Sequence, residues 1–426
     1  MPQSDIYNIG QIYFKRFESW PSQILEPLSK DTKVILVIPC YKEPNITITL
    51  NSLADCLAPQ CPIEVLIVIN ASEQDPAEVH LQNRRSQKQV AEWVRLKQPD
   101  FLSCQVIYND SLPSKHAGVG LARKIGMDEA LRRFMTINYD GLIINLDADC
   151  TVASNYLTVL EQTWLAQEIQ TLTVYFEHSL SNLADPRLRE GIIYYELFLR
   201  YYINGLRYAQ FPYAFHTVGS SMGCRATTYS LSGGMNRRKA GEDFYFLHKT
   251  AQLGKVVQLT NTTVYPSART SDRVPFGTGK AQQDWLAKSG RHQLLYHPQS
   301  FEDVKQLLAA IPGWYQTDQN WNSDWAKSLP TAIAAYLEQQ HFPNIWDNLR
   351  AGSRSWPVFQ KKFFAWWDGF RVLKFVHFAR DHYYQQIPAE EAGFRLLKKL
   401  CILYLEEVHT TEELLLRYRT LDQQNY

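Results

Sequence analysis

No apolar run in this chain of 426 residues is long enough to span a bilayer. The opening segment, MPQSDIYNIGQIYFKRF, lacks the apolar core of a signal peptide. The expected location is therefore the cytoplasm, with peripheral contact at a membrane surface left open. Neither charge sign is in excess. Lys+Arg number 44 against Asp+Glu 43, a net charge of +1, which gives no electrostatic case for a nucleic-acid partner. Cysteine is scarce and odd in number. Cys40, Cys56, Cys61, Cys104, Cys150, Cys224 and Cys401 are scattered, and no second Cys/His pair follows Cys56 and Cys61 at zinc spacing. Reduced thiols are expected. Internal repeats and low-complexity segments are absent. What the chain does have is length for more than one domain. It also has aromatics: 13% of residues, with 11 Trp and 24 Tyr, exclude disorder as the overall state.

The first part alternates strand and helix. VILVIP (34–39) and IEVLIVI (63–69) read as buried strands. A helix follows each, from Pro44 to about Leu57 and from about Pro76 to Leu96. QVIY (105–108) is a third strand, 117–134 a helix, and GLIINL (141–146) a fourth strand. This order implies parallel strands with right-handed crossovers, and ligands at the strands' carboxyl ends. Further on, TLTVYFEHS reads as a strand, DPRLREGIIYYELFLRYYINGLRY as a helix, and KVVQLTNTTVYP as two short strands. A helix opens at about Glu242. From about 281 the pattern is mostly helical, ending in one or two amphipathic helices. The expected domains are an N-terminal helical extension (1–32), an α/β catalytic domain (33–280) and a helical C-terminal region (281–426).

The fourth strand runs into Asp147-Ala-Asp149. On an extended strand residues i and i+2 point the same way, so the two carboxylates would sit side by side and repel. A divalent cation relieves that, and hard oxygen ligands suit Mg²⁺ or Mn²⁺. Asp is also a common turn residue. Tyr41 and Glu43 follow the first strand and Asn70 the second, on the same expected edge.

Two family likenesses arise from these motifs. Asp147-Ala-Asp149-Cys-Thr151 resembles the nucleophile motif of haloacid dehalogenase-like phosphatases, but three strands precede it where that motif follows the first strand. The ordered set VIPCYKEPN, IVINASE, the Gly- and Arg-containing 115–126 stretch, LDAD, VGSSMGCRATTYSLSGG and GEDFYF resembles the GT-A glycosyltransferases of the family 2 type, over about residues 33–275. The fold this implies is a Rossmann-like, mostly parallel sheet sandwiched by helices. The activity it implies moves one sugar from a nucleotide-sugar, UDP-linked ahead of GDP-linked, to a glycan, lipid-linked or small-molecule acceptor. By this likeness Pro39, Tyr41 and Glu43 match the nucleotide-binding turn, and Asp147 and Asp149 the metal and donor site. Gly241-Glu242-Asp243 matches the acidic motif whose Asp is the base, and Gly233-Gly234 a glycine pair on the acceptor side. Inversion by direct displacement is the implied default.

Chemistry supports the same assignment. A diphosphate leaving group needs its developing charge neutralised, by the metal and by cations such as Lys115, Arg123, Arg269 or Arg273. The acceptor hydroxyl needs one carboxylate base, Asp243 ahead of Glu242. The chain departs from the family after the second strand. Ile69-Asn70-Ala71-Ser72 stands where an acidic pair is usual, so Asn70 is left to contact the base. A non-catalytic nucleotide-sugar or glycan-binding protein is the alternative from another class.

Several features have plainer readings. Gly118 and Gly120 suit helix-to-strand packing, and His216 a satisfied interior histidine. SARTSDRVPFGTG (267–279) fits either a loop over the diphosphate or a linker. Trp285, Trp314, Trp321, Trp325, Trp346, Trp356, Trp366 and Trp367 fit a core better than a sugar groove. KKFFAWWDGFRVLKFVHFARDHYY (361–384) fits packing better than a membrane surface.

Overall fold

The structure, a computed structural model, describes residues 5–17, 19–165, 169–181, 183, 185–273, 275–287, 293–317, 325–400 and 410–424. The chain divides into two units. The first holds the residues up to Ile192 together with Thr217–Ala287. The second holds Ile193–His216 and the chain from 288 to Gln424.

The first unit is built on an eight-stranded sheet. Its strands are β1 (Val34–Cys40), β2 (Ile63–Ser72), β3 (Leu102–Leu112), β4 (Leu142–Asn145), β5 (Thr151–Val152), β6 (Thr171–Phe176), β7 (Met222–Arg225) and β8 (Val256–Tyr265). The order is β3-β2-β1-β4-β7-β6-β8-β5. The four strands read from the sequence as β-α-β-α form a parallel block, β3-β2-β1-β4. Beyond it β7 runs antiparallel to both β4 and β6, β6 and β8 are parallel, and β5 is antiparallel to β8. The expected α/β class, a mostly parallel sheet with flanking helices, is what the fold shows.

Residues of β1 and β2 are almost wholly buried. Burying each such Val, Leu or Ile contributes roughly 1.5–3 kcal/mol. Pro39 survives in a central strand for a local reason. The Val37 carbonyl already faces β4, accepting from Leu146 N. Alternation turns residue 39 to the same side, past the last β4 pairing at Val37↔Asn145, so no ladder donor is missed.

The helices of this unit are α1 (Ile6–Arg16), α2 (Ile46–Ala54), α3 (Ala77–Lys97), α4 (Val119–Thr136), α5 (Tyr156–Leu165), α6 (Pro186–Tyr208, shared with the second unit), α7 (Ala226–Leu231), α8 (Glu242–Thr250) and α9 (Thr278–Ala287). The sequence reverses direction across the sheet between β3 and β4. Right-handed crossovers then put α4 on the opposite face from α2 and α3, with a switch point between β1 and β4. α4 is buried along nearly its whole length although it carries Arg123, Lys124, Asp128, Glu129 and Arg133. Each charge is paired. Lys124 Nζ lies 2.8 Å from Asp128 Oδ2, Arg133 pairs with Glu64, and Glu129 accepts from Ser22 Oγ at 2.9 Å and Gln23 N at 3.2 Å. The N-terminal extension covers α4: α1 packs on α4 and α7, and residues 19–26 follow on.

Four local expectations need correction. The helix after β1, α2, begins at Ile46, after Pro44 and an Asn45 N-cap. β3 extends from Leu102 to Leu112, because parallel pairing with β2 carries it past its apolar centre. The 255–266 stretch forms one strand. β8 follows β6 as far as Leu259↔Val174, shifts register, and resumes at Val264. The fourth strand ends at Asn145, before the acidic pair.

The second unit is helical: α10 (Gln299–Gln316), α11 (Thr331–Gln339), α12 (Phe342–Ala351), α13 (Trp356–Trp366), α14 (Gly369–His382), α15 (Ala389–Lys399) and α16 (Thr411–Gln423), with a short antiparallel pair β9 (Leu294–Leu295) and β10 (Ile387–Pro388). Trp314, Trp325, Trp346, Trp366 and Trp367 pack ring against ring with Phe342, Phe359 and Phe363. Trp346 and Trp367 are buried in the core, and Trp314, Trp325 and Trp366 are half-buried in the same ring cluster. Trp285 lies on α9 in the first unit, and Trp321 lies outside the described residues. In the 361–384 stretch Phe363, Val372, Phe375 and Val376 are buried, with α14 packed on α10 and α11. His216 is the interior histidine expected. Its Nε2 lies 2.9 Å from Asp422, which Arg200 and Arg207 also hold. Cys401 lies outside the described residues; the other six cysteines are free thiols. Among the described residues no helix is long and apolar enough to cross a membrane.

Candidate functional site

The turn after β1 is shaped by one residue. Lys42 has φ +48°, a left-handed conformation uncommon outside glycine. Its backbone N donates to Asn83 Oδ1 at 2.9 Å, and α3 fixes the next carbonyl, since Ser86 Oγ donates to Glu43 O at 2.6 Å. This turn buries the Glu43 carboxylate, which is 1% exposed. Asn83 also donates to Asn70 O at 2.8 Å, tying the ends of β1 and β2 together. Asn83 and Ser86 were not singled out from sequence. The available signal was two small polar residues on the buried side of a charged helix.

Asp147 and Asp149 sit in a tight turn, closed by Cys150 N donating to Asp147 O at 3.1 Å. Thr49 Oγ1 on α2 holds the Ala148 carbonyl at 2.9 Å. The strand geometry expected for the pair is therefore replaced by a turn, and their repulsion is met by guanidinium groups. Asp149 Oδ2 accepts from Arg269 Nη2 at 2.8 Å and Arg273 Nη2 at 2.7 Å. The same two arginines hold Glu43, Arg273 Nη1 at 3.0 Å from its Oε2. Glu43, Asp149, Arg269 and Arg273 thus form a closed ring of two anions and two cations. Arg273 Nη1 also donates to Tyr41 O at 3.4 Å. Burial, with Asp75 beside it, pushes the Tyr41 phenol up to about 12.

Asp147 belongs to a second cluster. Its Oδ1 accepts from Arg123 Nη2 at 2.7 Å, and Arg123 Nε donates to Glu242 Oε1 at 3.0 Å. Arg123 is 2% exposed, and its Nη1 is buried with no hydrogen-bond partner. Gly219 makes room for it: a Cβ there would collide with the Arg123 guanidinium and come within 3.3 Å of Asp243 Oδ2. Gly241 caps α8 at φ +69°, a conformation that favours glycine. Burial and the neighbouring Glu242 raise the Asp243 carboxyl to about 7, against the opposing pull of Arg123.

The predicted residues thus separate. Glu43, Asp149, Arg269 and Arg273 meet in one cluster, with the Tyr41 backbone at its edge. Asp147, Arg123, Glu242 and Asp243 meet in the other. Pro39 and Asn70 lie on the adjoining strands. Lys115 is exposed in the loop after β3 and makes no ion pair with either cluster. Arg123, expected to reach a diphosphate, is instead committed to two carboxylates. Gly118 and Gly120 pack against the 236–239 loop, where Lys239 and the Arg238 carbonyl would meet an added Cβ, rather than against a strand. Gly233 and Gly234 lie against Phe17 and Tyr13 of the N-terminal extension, which an added Cβ at either position would meet.

Among the described residues no group of three or more His, Cys, Asp or Glu could by itself hold a metal. Asp147 and Asp149 nevertheless suit a hard cation whose shell is completed by substrate. Mg²⁺ in particular is usually held by one or two carboxylates plus phosphate oxygens and water.

No family model matches the chain, and no curated protein matches it. It is similar in structure to several solved glycosyltransferases. S. aureus TarS 1-349 in complex with UDP-GlcNAc shares 14% identity, over 75% of this chain and 89% of that one, at a TM-score of 0.42. The mannosyltransferase PcManGT from Pyrobaculum calidifontis, with GDP-Man and Mn²⁺, shares 13% over 98% and 95%, at 0.36. GalNAc-T7 with UDP, GalNAc and Mn²⁺ shares 15% over 70% and 53%, at 0.35. All three likenesses are at low identity and at TM-scores under 0.5, so the chemistry has to come from the site itself.

Proposed function

We propose that the first unit transfers a sugar from a nucleotide-sugar to an acceptor hydroxyl. One observation carries this reading. The buried Arg123 guanidinium joins Asp147 of the D-x-D turn to Glu242 of the Gly-Glu-Asp motif, so two acidic motifs far apart in sequence meet on one side chain. Such transfer needs a diphosphate site and a base together.

In this reading Asp243 takes the proton of the acceptor hydroxyl as its oxygen bonds to the anomeric carbon. The bond from that carbon to the diphosphate breaks, and a nucleoside diphosphate leaves. A carboxyl raised to about 7 suits a base working near neutrality. Arg123 fixes Glu242 beside it and orients Asp147. Arg269 and Arg273, now on Glu43 and Asp149, stand ready to turn to the diphosphate. Asp147 and Asp149 would hold Mg²⁺ or Mn²⁺, which as a Lewis acid would neutralise charge on the leaving group. Tyr41, Asn70 and Pro39 would line the nucleotide, UDP ahead of GDP. The attack is inverting by direct displacement. The catalytic domain is residues 33–280 in this proposal.

A panel of UDP, GDP and their sugars, with and without Mn²⁺, tests the donor site by thermal stabilisation. A metal-dependent rise with one nucleotide, weakened in Asp149→Ala, supports the reading. Its absence for every nucleotide, with the protein folded, removes it. Asp243→Asn then separates an enzyme from a binding protein, because an enzyme keeps nucleotide affinity and loses transfer.

A further inference from the structure

Asn236 belongs to neither carboxylate cluster, yet its side chain reaches the motif that carries the base. Its Nδ2 donates to Glu242 O at 2.9 Å, and its Oδ1 accepts from Arg238 N at 3.0 Å. One half-buried amide therefore grips the chain on both sides of Gly241. The two bonds also fix which end of the amide is oxygen, because one partner is an acceptor and the other a donor.

The grip spans the freest point of the loop. Gly241 has φ +69°, and a Cβ there would have nothing within 4 Å. It supplies no side-chain cap to α8. A glycine in open space turns more readily than any other residue, and this one lies two residues before Asp243. The peptide that joins Glu242 to Asp243 is a rigid plane. Holding its carbonyl oxygen sets the direction in which the chain leaves for Asp243. The Asp243 carboxylate is then steadied locally, its Oδ1 accepting from Phe244 N at 2.7 Å.

Glu242 is thus held twice, at its carboxylate by Arg123 Nε at 3.0 Å and at its carbonyl by Asn236. Both ties lead to α4. The loop is seated on the first turn of that helix, where a Cβ on Gly120 would come within 3.0 Å of Asn236 O. Arg123 alone does not set the Glu242–Asp243 peptide, because the rotatable bonds of the Glu242 side chain lie between the guanidinium and the backbone.

We propose that Asn236 is a positioning residue for the base: its amide bridges the Gly241 hinge and fixes the Glu242–Asp243 peptide, so that Asp243 meets the hydroxyl it deprotonates. This rests on the transferase reading for the role of Asp243. A misplacement of about 1 Å costs roughly a hundredfold in rate, which sets the scale of the expected effect.

The test uses the full chain with Mn²⁺ and the nucleotide-sugar that stabilises it. Release of the nucleoside diphosphate is followed as the sugar passes to water, whose oxygen bonds to the anomeric carbon and whose proton goes to Asp243. Rates are read at about pH 9, where the base is ionised in every variant. Asn236→Ala should lower kcat roughly 10- to 100-fold and leave KM for the nucleotide-sugar unchanged. Asn236→Asp keeps the acceptor for Arg238 N, and with it the turn, but has no donor for Glu242 O. It should lose as much as Asn236→Ala. Full kcat in either variant overturns the proposal, and so does a raised KM with kcat intact, because Asn236 would then serve the donor.

A second arm needs no turnover. Burial and Glu242 raise the Asp243 carboxyl to about 7, with Arg123 opposing and Asp147 adding to the rise. Asp243→Asn should therefore raise the melting temperature at pH 8. In an Asn236→Ala background that gain should shrink by about half or more, since a carboxylate no longer held in place moves towards solvent. An undiminished gain means that Asn236 only supports the loop, and overturns the proposal. Asn236→Ser, which keeps a weaker version of the turn, takes the place of Asn236→Ala where that variant folds poorly. Failure of every nucleotide-sugar to bind the unaltered protein would instead defeat the transferase reading, and the melting arm would still decide whether Asn236 places Asp243.

Discussion

Arg123 Nη2 lies 2.7 Å from Asp147 Oδ1, and the arginine side chain making this contact is 3% exposed while the aspartate is 37% exposed. A buried cation therefore holds a carboxylate that is partly open to solvent, and does so with its Nε occupied by Glu242.

Arg123→Met should remove that anchor and leave Glu242, itself 3% exposed, without its partner. Breaking one side of a buried pair costs about 3–5 kcal/mol. The melting temperature should fall, and transfer should be lost beyond what the lowered stability explains. Arg123→Lys keeps the charge but not the two-sided reach, and should recover stability more than activity. Equal recovery of both would show that charge alone matters.

Asp243 at about 7 gives the pH dependence a sign. The base is the ionised form, so kcat/KM should rise with pH through about 7 and level off above it. For stability the raised value works the other way. The folded carboxyl resists ionisation that the unfolded chain accepts from about pH 4 upward, so the charge costs stability progressively as pH rises towards 7. Asp243→Asn should therefore melt higher than the unaltered protein at pH 8, by about 1–2 kcal/mol after allowing for partial solvent access, and show little gain at pH 4. A variant that melts lower at pH 8 would contradict the raised value.

The ring of Glu43, Asp149, Arg269 and Arg273 makes metal and arginine competitors for the same carboxylate oxygens. Arg269→Ala with Arg273→Ala should strengthen binding of Mn²⁺ without nucleotide by about tenfold, since Asp149 loses two ion-paired donors. The same variant should bind nucleoside diphosphate with Mn²⁺ more weakly. Calorimetric titration in both formats checks this, and a loss of affinity for bare Mn²⁺ would sink it.

In the second unit, burial opposes ionisation of Asp422, but His216, Arg200 and Arg207 outweigh it and hold the carboxyl well below the usual range. A depressed carboxylate contributes stability that is complete above its unfolded value near 3.9 and fades as pH falls below it. Asp422→Asn should destabilise the protein at pH 7 by about 3–5 kcal/mol, with the gap to the unaltered protein narrowing in acid. An undiminished gap in strong acid would exclude ionisation as the cause.

The buried strands were readable because burial on both faces writes itself as continuous β-branched runs, as in Val34–Ile38 and Ile63–Ile69. β5 and β7, of two and four residues, carry no such pattern and take their place only through their neighbours in the sheet. Asp147, Asp149, Glu242 and Asp243 were visible as residue types at strand and helix ends. Their partners were not. Which guanidinium meets which carboxylate depends on loops that the sheet brings together, and nothing local in Arg123, Arg269 or Arg273 tells which of the two clusters each joins. The cover on Gly233 and Gly234 was invisible for the same reason, because it comes from Tyr13 and Phe17 at the other end of the unit.

The first unit is interrupted. Its chain leaves at Ile192, returns at Thr217 with Gly219 almost at once against Arg123, and only then supplies β7, α7 and α8. Single-point fusion or recombination therefore cannot replace the helical unit as a cassette. A crossover near 288 carries Ile193–His216 along with the sheet, so any transplanted helical unit must accommodate a segment it did not evolve with. Shuffling of this architecture would favour changes to loops and surface residues over exchange of whole modules.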